Sequence, residues 1–148
     1  MAEDSAGVGG YIVGALDSQD FDRRLERDWW PGLRARYPEP PPEAALGLSA
    51  QERFALDFIH HPWATDPLLA RRYPSHLHIN LLPRLQGRGF GGQMIAALIS
   101  GLRSQGSTGV HLHAGRANQR AAGFYRHVGF AEPPGTTTTR IFAMTLQP

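Results

Sequence analysis

The chain has 148 residues, 41% hydrophobic and 19% charged, with 15 Lys and Arg against 13 Asp and Glu, a net charge of +2 and no cysteine. This is the profile of one soluble globular domain with one real core, and it excludes disulfides, thiolate nucleophiles and cysteine-ligated zinc together, so chemistry falls to His, Asp, Glu, Tyr or the backbone. So small a charge gives no case for nucleic acid, no run approaches the roughly 18 apolar residues of a membrane span, and the acidic opening Met1-Ala2-Glu3-Asp4 is unlike a signal peptide, which makes a reducing cytoplasm the default compartment.

Residues 11–16, Tyr-Ile-Val-Gly-Ala-Leu, read as a first buried strand behind the glycines at 7, 9 and 10. Residues 21–37 place Leu25, Trp29, Trp30, Leu33 and Tyr37 on one face of a helix, or of two short helices broken at Pro31. The proline-rich residues 38–43 predict an extended linker. Ser49-Ala50-Gln51-Glu52 has the spacing of a capping box, and the stripe Phe54, Ala55, Phe58 and Ile59 behind it predicts a helix that ends before Pro62.

Residues 63–73 form a loop or short helical turn carrying Asp66 and the pair Arg71-Arg72. From His76 the pattern has period two, with His76, His78 and Asn80 facing one way and Leu77, Ile79 and Leu81 the other, which predicts a strand with a polar face. Leu81-Leu82-Pro83-Arg84-Leu85-Gln86-Gly87-Arg88-Gly89-Phe90-Gly91-Gly92 then leads through a glycine-rich turn into a helix over residues 92–103, lined by Met94, Ile95, Leu98, Ile99 and Leu102 and stopped by Gly106. Residues 109–114 are a strand with His111 and His113 on one face, 119–127 a short helix released by Gly129, 130–131 the start of a strand, 133–135 a turn, and 140–146 the last strand. This alternation is that of an α/β sheet with both parallel and antiparallel pairs.

Glycines at 87, 89, 91 and 92 let a diphosphate approach the amides of a helix start, where the positive end of the helix favours it. The turn lacks the Gly-Lys-Ser/Thr of a P-loop and is a poor dinucleotide fingerprint, since no acidic residue stands at the end of a second strand. Gln86-x-x-Gly89-x-Gly91 after Leu-Leu-Pro, together with Asn118-Gln119-x-Ala121-x-x-Phe124-Tyr125-x-x-x-Gly129-Phe130, resembles the acetyl-CoA-binding core of the GCN5-related N-acetyltransferases (GNAT) over residues 76–131. More narrowly, Tyr73-Pro74-Ser75-His76-Leu77-His78-Ile79 and the downstream Phe-Tyr element are similar to the acetyltransferase-like domain at the C-terminus of O-GlcNAcases and to its free-standing bacterial relatives.

The resemblance implies a GNAT-like mixed α/β sheet, partly splayed and flanked by helices, in a single domain over residues 1–148 with a helical and aromatic insertion at residues 19–72. It implies acetyl-CoA as cofactor. Strand 77–82 splays from its parallel neighbour 110–114, and main-chain groups of Leu81 and Leu82 hold the pantetheine arm in the gap. Amides of Gly87, Arg88, Gly89, Phe90, Gly91 and Gly92 take the diphosphate, flanked by Gln86 and Arg88. Asn118 hydrogen-bonds near the arm, and the phenol of Tyr125 protonates the departing thiolate. Family members usually open with a strand and one or two helices, so by that measure this chain enters at or just before the third strand, lacking the usual N-terminal strand and helices. Residues 21–61 then replace that cover, or the chain is a fragment.

The implied reaction is transfer of an acetyl group to an amine by direct attack in a ternary complex, which needs alignment, polarisation of one carbonyl and proton traffic. A main-chain amide near Leu81 is the candidate for the polarising donor. His78, deeper in the strand than His76, is the preferred base, acting directly or through water, with Asp57, His60, His61 and Asp66 as alternatives. His76, His78, His111 and His113 also invite a zinc reading, but neither local pair has a distinctive metal spacing and no metal is expected. Trp29, Trp30, Phe54, Phe58 and Trp63 read as internal contacts of the inserted region, or as a cover that selects the acceptor. The alternative function is a non-catalytic acetyl-CoA-binding or protein-interaction domain. A small-molecule amine or a protein or peptide amine serves equally as acceptor, a homodimer stays open, and neither nucleic acid nor membrane is expected as a partner.

Overall fold

The structure is a computed structural model and describes residues 1–134 and 139–146. Two compact units divide the chain, one formed by residues 1–18 and 67–148, the other by residues 19–66. Gly135, the last residue of the turn predicted at 133–135, lies outside the described residues.

The first unit carries a five-stranded sheet in the order β1 (Ala2–Asp4), β2 (Gly7–Ala15), β3 (Ser75–Leu81), β4 (Gly109–Ala114) and β5 (Arg140–Thr145). Only β3 and β4 run parallel; the other neighbours are antiparallel. The mixed α/β sheet expected from the alternation of elements is therefore the observed one. It begins earlier than the apolar run at 11–16 suggests, because β2 starts at Gly7 and gains an antiparallel neighbour in Ala2–Asp4. The glycines there are required by close approach rather than by a turn. A Cβ on Gly10 would lie 2.3 Å from Leu81 Cδ2, and one on Gly9 2.6 Å from Leu85 Cδ1.

Parallel neighbours need a long crossover, and α6 (Phe90–Ser104) provides it. Its stripe Ile95, Ile99 and Leu102 is buried with Leu77, Val110, Leu112 and Phe142 of the sheet, and α7 (Gln119–His127) adds Ala122 and Tyr125 to the same cluster. Phe142 and Val110 have no exposed surface, and burial of each such side chain contributes about 1.5–3 kcal/mol. A second cluster of Ala2, Leu85 and Met94, with Phe90 against it, anchors the start of α6. The expected strand at 130–131 is reduced to one bridge, Ala131 to Ala143. A short helix, α5 (Pro67–Arg72), precedes β3 in this unit.

The second unit is helical. α1 (Ser18–Arg24), a π turn over Leu25–Trp29 and α2 (Trp30–Arg36) follow without interruption, so Pro31 does not break the run. Its ring would meet a carbonyl of the preceding turn in a regular α-helix, and the wider π turn, in which the Trp30 N–H donates to Leu25 O, relieves that contact. The proline-rich linker ends sooner than its composition suggests. Pro42 opens a one-turn helix, α3 (Pro42–Ala45), at a position where its missing N–H costs nothing. α4 (Ala50–His60) starts on the expected capping box, with Ser49 Oγ accepting from the Glu52 N–H at 3.2 Å and the Glu52 carboxylate accepting from the Ser49 N–H at 2.8 Å. Arg34 ties α2 to α4 by donating to Ile59 O, and grips the Glu26 carboxylate at 2.8 and 2.9 Å. The Phe58 ring meets Trp30 and Trp63 edge to face, each at 5.6 Å; Trp30 is buried, whereas Trp29 and Trp63 are exposed.

Candidate functional site

The β3–β4 ladder contains only two pairs, Ser75 with Val110 and His76 with His111. Beyond them β3 runs on to Leu81 and β4 to Ala114 with no bond between them, while β2 stays paired with β3 up to Leu81. In an antiparallel ladder successive residues send their backbone groups to opposite sides. The Leu82 N–H donates to Gly9 O at 2.7 Å, so the even-numbered residues of β3 face β2, and Ile79 and Leu81 turn their backbone groups toward the opening.

That opening is a cavity of about 550 Å³, within the usual range of small-molecule sites. Ile79, Asn80 and Leu81 form one wall, Gln86, Gly87, Gly89, Gly91 and Gly92 the floor, and residues from Asn118 to Val128 the wall opposite. Gly87 (φ +74°) and Gly89 (φ +85°) take left-handed conformations that turn the chain into α6. The Gln93 N–H is the first of the helix to find a carbonyl, that of Gly89 at 3.1 Å. The N–H groups of Phe90, Gly91 and Gly92 have no partner among the described residues. A Cβ on Gly92 would meet nothing within 4 Å, whereas one on Gly91 would lie 2.9 Å from Phe124 Cζ.

No carboxylate lines the cavity among the described residues; its charged or chargeable side chains are Arg120 and His127, seven residues apart and thus on one face of α7. Asn118 caps α7, its Oδ1 accepting from the Ala121 N–H at 3.0 Å. Tyr125 is 8% exposed, its ring 5.3 Å from that of Phe142 and 6.1 Å from that of Phe130. Its phenol has no hydrogen-bond partner among the described residues, and burial pushes its pKa up from 10.0.

Of the residues singled out in the sequence, the structure brings Leu81, Gln86, Gly87, Gly89, Gly91, Gly92, Asn118 and Tyr125 around one cavity. Leu82 lies outside the cavity lining, where its N–H donates to Gly9 O and its carbonyl accepts from the Leu85 N–H. Arg88 and Phe90 also place their side chains elsewhere. Arg88 Nη1 lies 3.9 Å from the Asp4 carboxylate with its guanidinium over the Phe90 ring, and Phe90 packs on the second cluster. Gln86 does not face a ligand alone, since its Nε2 donates to Leu81 O at 2.7 Å and ties the end of β3 to the turn.

The polar face of β3 is sorted by its hydrogen bonds. His76 donates from Nδ1 to Ser18 Oγ at 2.9 Å, because the Ser18 hydroxyl proton is given to Pro74 O. His111 is buried and donates from Nδ1 to Tyr73 O at 2.9 Å. Both therefore serve to hold the segment that enters β3. His113 sits 3.1 Å from Thr139 Oγ1, and desolvation lowers its pKa. His78 is exposed, outside the cavity lining and one alternation away from Asn80, which does line it. In the helical unit, Asp57 lines a small pocket with Glu39 and Arg53, His60 Nε2 donates to Tyr37 O, and His61 Nε2 lies 3.6 Å from the Glu39 carboxylate. Sequence reasoning passed over Asn80, Arg120 and His127 as site residues. Asn80 was placed on the polar face of β3 with His78 but given no role, and the other two share a helical face with Phe124, which the helical period read for polar residues would have shown.

The FR47-like protein family matches residues 65–141, just over half of the chain and including both motifs. The chain is 34% identical to the protein in the crystal structure of SsHAT, with a TM-score of 0.81 over 99% of this chain and 71% of that one. It is 25% identical over 132 residues to protein O-GlcNAcase of Rattus norvegicus and of Mus musculus, covering 89% of this chain but only 14% of the length of those relatives. A crystal structure of an acetyltransferase shares the fold at 16% identity, with a TM-score of 0.59 over 99% of this chain and 68% of that one. The motifs, the splayed strands and these matches agree, and the chain belongs to the FR47-like family of the GCN5-related N-acetyltransferase superfamily.

Proposed function

We propose that this chain transfers the acetyl group of acetyl-CoA to an amine by direct attack while both are bound. The observation that carries the reading is that the parallel ladder stops after His76 and His111, and that the space so opened ends on unpartnered amides of the first turn of α6. The residues fit a diphosphate-bearing thioester. The glycine floor leaves room above Gly92, Arg120 supplies positive charge, and no carboxylate among the described lining residues opposes it. Acetyl-CoA supplies an acyl group already activated for transfer to nitrogen.

The chain's own part is to bind, orient and move protons. Amides of residues 87–92 would hold the diphosphate together with the positive end of α6. The backbone groups of Ile79 and the N–H of Leu81, turned toward the opening, would hold the pantetheine arm as a further strand would be held. Tyr125 keeps its proton through the physiological range because burial disfavours the phenolate, and its hydroxyl, which has no partner among the described residues, would give that proton to a departing thiolate. His78 would take the proton that the amine loses, directly or through a water held at Asn80. The acceptor is a small amine or a protein or peptide amine.

Titration calorimetry with acetyl-CoA tests the binding half. A dissociation constant weaker than about 1 mM would remove the reading. Thiol release measured with small amines, amino sugars and lysine-containing peptides tests the transfer half. Tight binding with no release from any of them supports a non-catalytic acetyl-CoA-binding domain instead.

A further inference from the structure

The glycine turn carries one charged side chain, and that side chain is directed out of the cavity. Gly87 and Gly89 line the floor, whereas Arg88 between them does not. Its guanidinium lies over the Phe90 ring, 5.7 Å from the centroid, and its Nη1 is 3.9 Å from Asp4 Oδ2. That separation is too long for a hydrogen bond, and none of the N–H donors of Arg88 is hydrogen-bonded among the described residues. With 58% of its side chain exposed, Arg88 is a cation at rest rather than one committed to the fold.

Asp4, by contrast, is engaged by other groups. Its Oδ1 accepts from the Ala6 N–H at 2.9 Å, and Arg84 Nε lies 3.4 and 3.3 Å from its two oxygens. Arg84 is itself committed, since its Nη2 donates to Gly7 O at 3.0 Å. These contacts fix the carboxylate at the end of β1 beside the turn, and they stay in place when Arg88 leaves. The pairing of Arg88 with Asp4 can therefore be exchanged without leaving the carboxylate unpaired.

The chemistry of the ligand supplies the exchange partner. With the pantetheine arm along Ile79 and Leu81 and the diphosphate on the amides of the first turn of α6, the ribose and its 3′-phosphate continue outward past the turn. A phosphate monoester carries about two negative charges at neutral pH and accepts from a guanidinium fork in bidentate fashion. A single carboxylate already shared with Arg84 and a backbone amide is the poorer partner. Arg120, the cation that does line the cavity, stands in the wall opposite.

We propose that Arg88 recognises the 3′-phosphate of acetyl-CoA and that Asp4 is its resting counter-ion, from which the guanidinium turns when the cofactor arrives. The proposal rests on acetyl-CoA being the ligand of the cavity. Asp4 thereby sets how strongly the 3′-phosphate is preferred, because the fraction of Arg88 held at Asp4 is subtracted from the form that can bind it.

Titration calorimetry of the full 148-residue chain with CoA and with 3′-dephospho-CoA reads the proposal as a ratio of two dissociation constants, in which effects on the shared diphosphate cancel. The wild type should bind CoA at least about tenfold more tightly than dephospho-CoA. Arg88→Gln should bring the two ligands within about twofold of each other. Asp4→Asn keeps an oxygen for Ala6 and Arg84 but loses the charge, and should widen the wild-type ratio about two- to fivefold. Added to Arg88→Gln, the same substitution should change the ratio by less than about twofold. The proposal is overturned, and the cofactor reading left standing, by a wild type that binds both ligands equally or by an Arg88→Gln chain that keeps the wild-type ratio. An Asp4→Asn chain whose ratio is unchanged or smaller, or is widened equally without Arg88, overturns it as well. Failure of both ligands to bind below about 1 mM sinks the proposal and the cofactor reading together.

Discussion

Alanine at Gly92 and at Gly91 separates the proposed phosphate cradle from the helix that bears it, because the two neighbours differ in what a methyl group would meet. At Gly92 no heavy atom lies within 4 Å of the added carbon. The substitution therefore gains the helical preference of alanine over glycine, about 0.5–1 kcal/mol, with no steric charge against it. The melting temperature of the free protein should rise by about 1–4 °C. The same methyl occupies space over the floor of the cavity, beside an N–H that has no partner among the described residues. Loss of one hydrogen bond to a charged oxygen is worth about 1.5–3 kcal/mol, so acetyl-CoA should bind about ten- to hundredfold more weakly. At Gly91 the carbon falls 2.9 Å from Phe124 Cζ and 3.3 Å from Leu81 Cδ1. Overpacking of that kind costs about 1–3 kcal/mol, which outweighs the helical gain and leaves a net loss of about 0–2 kcal/mol. Thermal melts of the free chains and calorimetry with acetyl-CoA read the two effects separately. A Gly92→Ala chain that binds acetyl-CoA as the wild type does would refute the placement of the diphosphate over the first turn of α6.

Tyr125→Phe removes a hydroxyl that has no partner among the described residues, so the melting temperature should stay within about 2 °C while thiol release falls about 10²–10⁴-fold; equal turnover removes the phenol as the proton donor. The raised pKa of Tyr125 means that the folded chain holds this proton more tightly than the unfolded one, so its contribution to stability is complete below pH 10 and declines as pH climbs above it, which melts at pH 9 to 11 on the wild type and Tyr125→Phe will show. Arg120→Gln should weaken acetyl-CoA binding about three- to tenfold and flatten its salt dependence, and a salt dependence equal to that of the wild type would place Arg120 outside the phosphate field. Ser49→Ala removes the Oγ that accepts from the Glu52 N–H, while the backbone N–H at 49 still donates to the Glu52 carboxylate, and should cost about 1 kcal/mol; far-ultraviolet circular dichroism and denaturant melts check it, and an unchanged midpoint would show that α4 does not depend on its side-chain cap.

The elements that the sequence discloses are those with a pattern inside their own length. Helix 119–127 and strand 109–114 have the expected bounds, and so does the capping box at Ser49, because each carries its own periodicity, cap or stop. Elements defined by a partner were not legible. Ala2–Asp4 has no apolar run, and it is a strand only because Gly7–Ala15 lies beside it. The glycines at 9 and 10 resemble a loop until the side chains of Leu85 and Leu81 that press on them are known. Pro31 argues for a break until the π turn that precedes it is seen.

The same distinction governs the site. Period-two alternation places side chains, and it assigned His76, His78 and Asn80 to one face of β3 correctly. It does not say which backbone groups are free, since that depends on the register with the neighbouring strand. Pairing Gly10 with Leu81, and Gly9 with Leu82 by hydrogen bond, spends the N–H of Leu82 and turns that of Leu81 to the cavity. A shift of one residue would exchange the two roles and move the histidines to the other face. The register of the β2–β3 ladder, which the apolar pattern barely marks, therefore decides both which amide faces the cavity and on which side of the sheet the histidines stand.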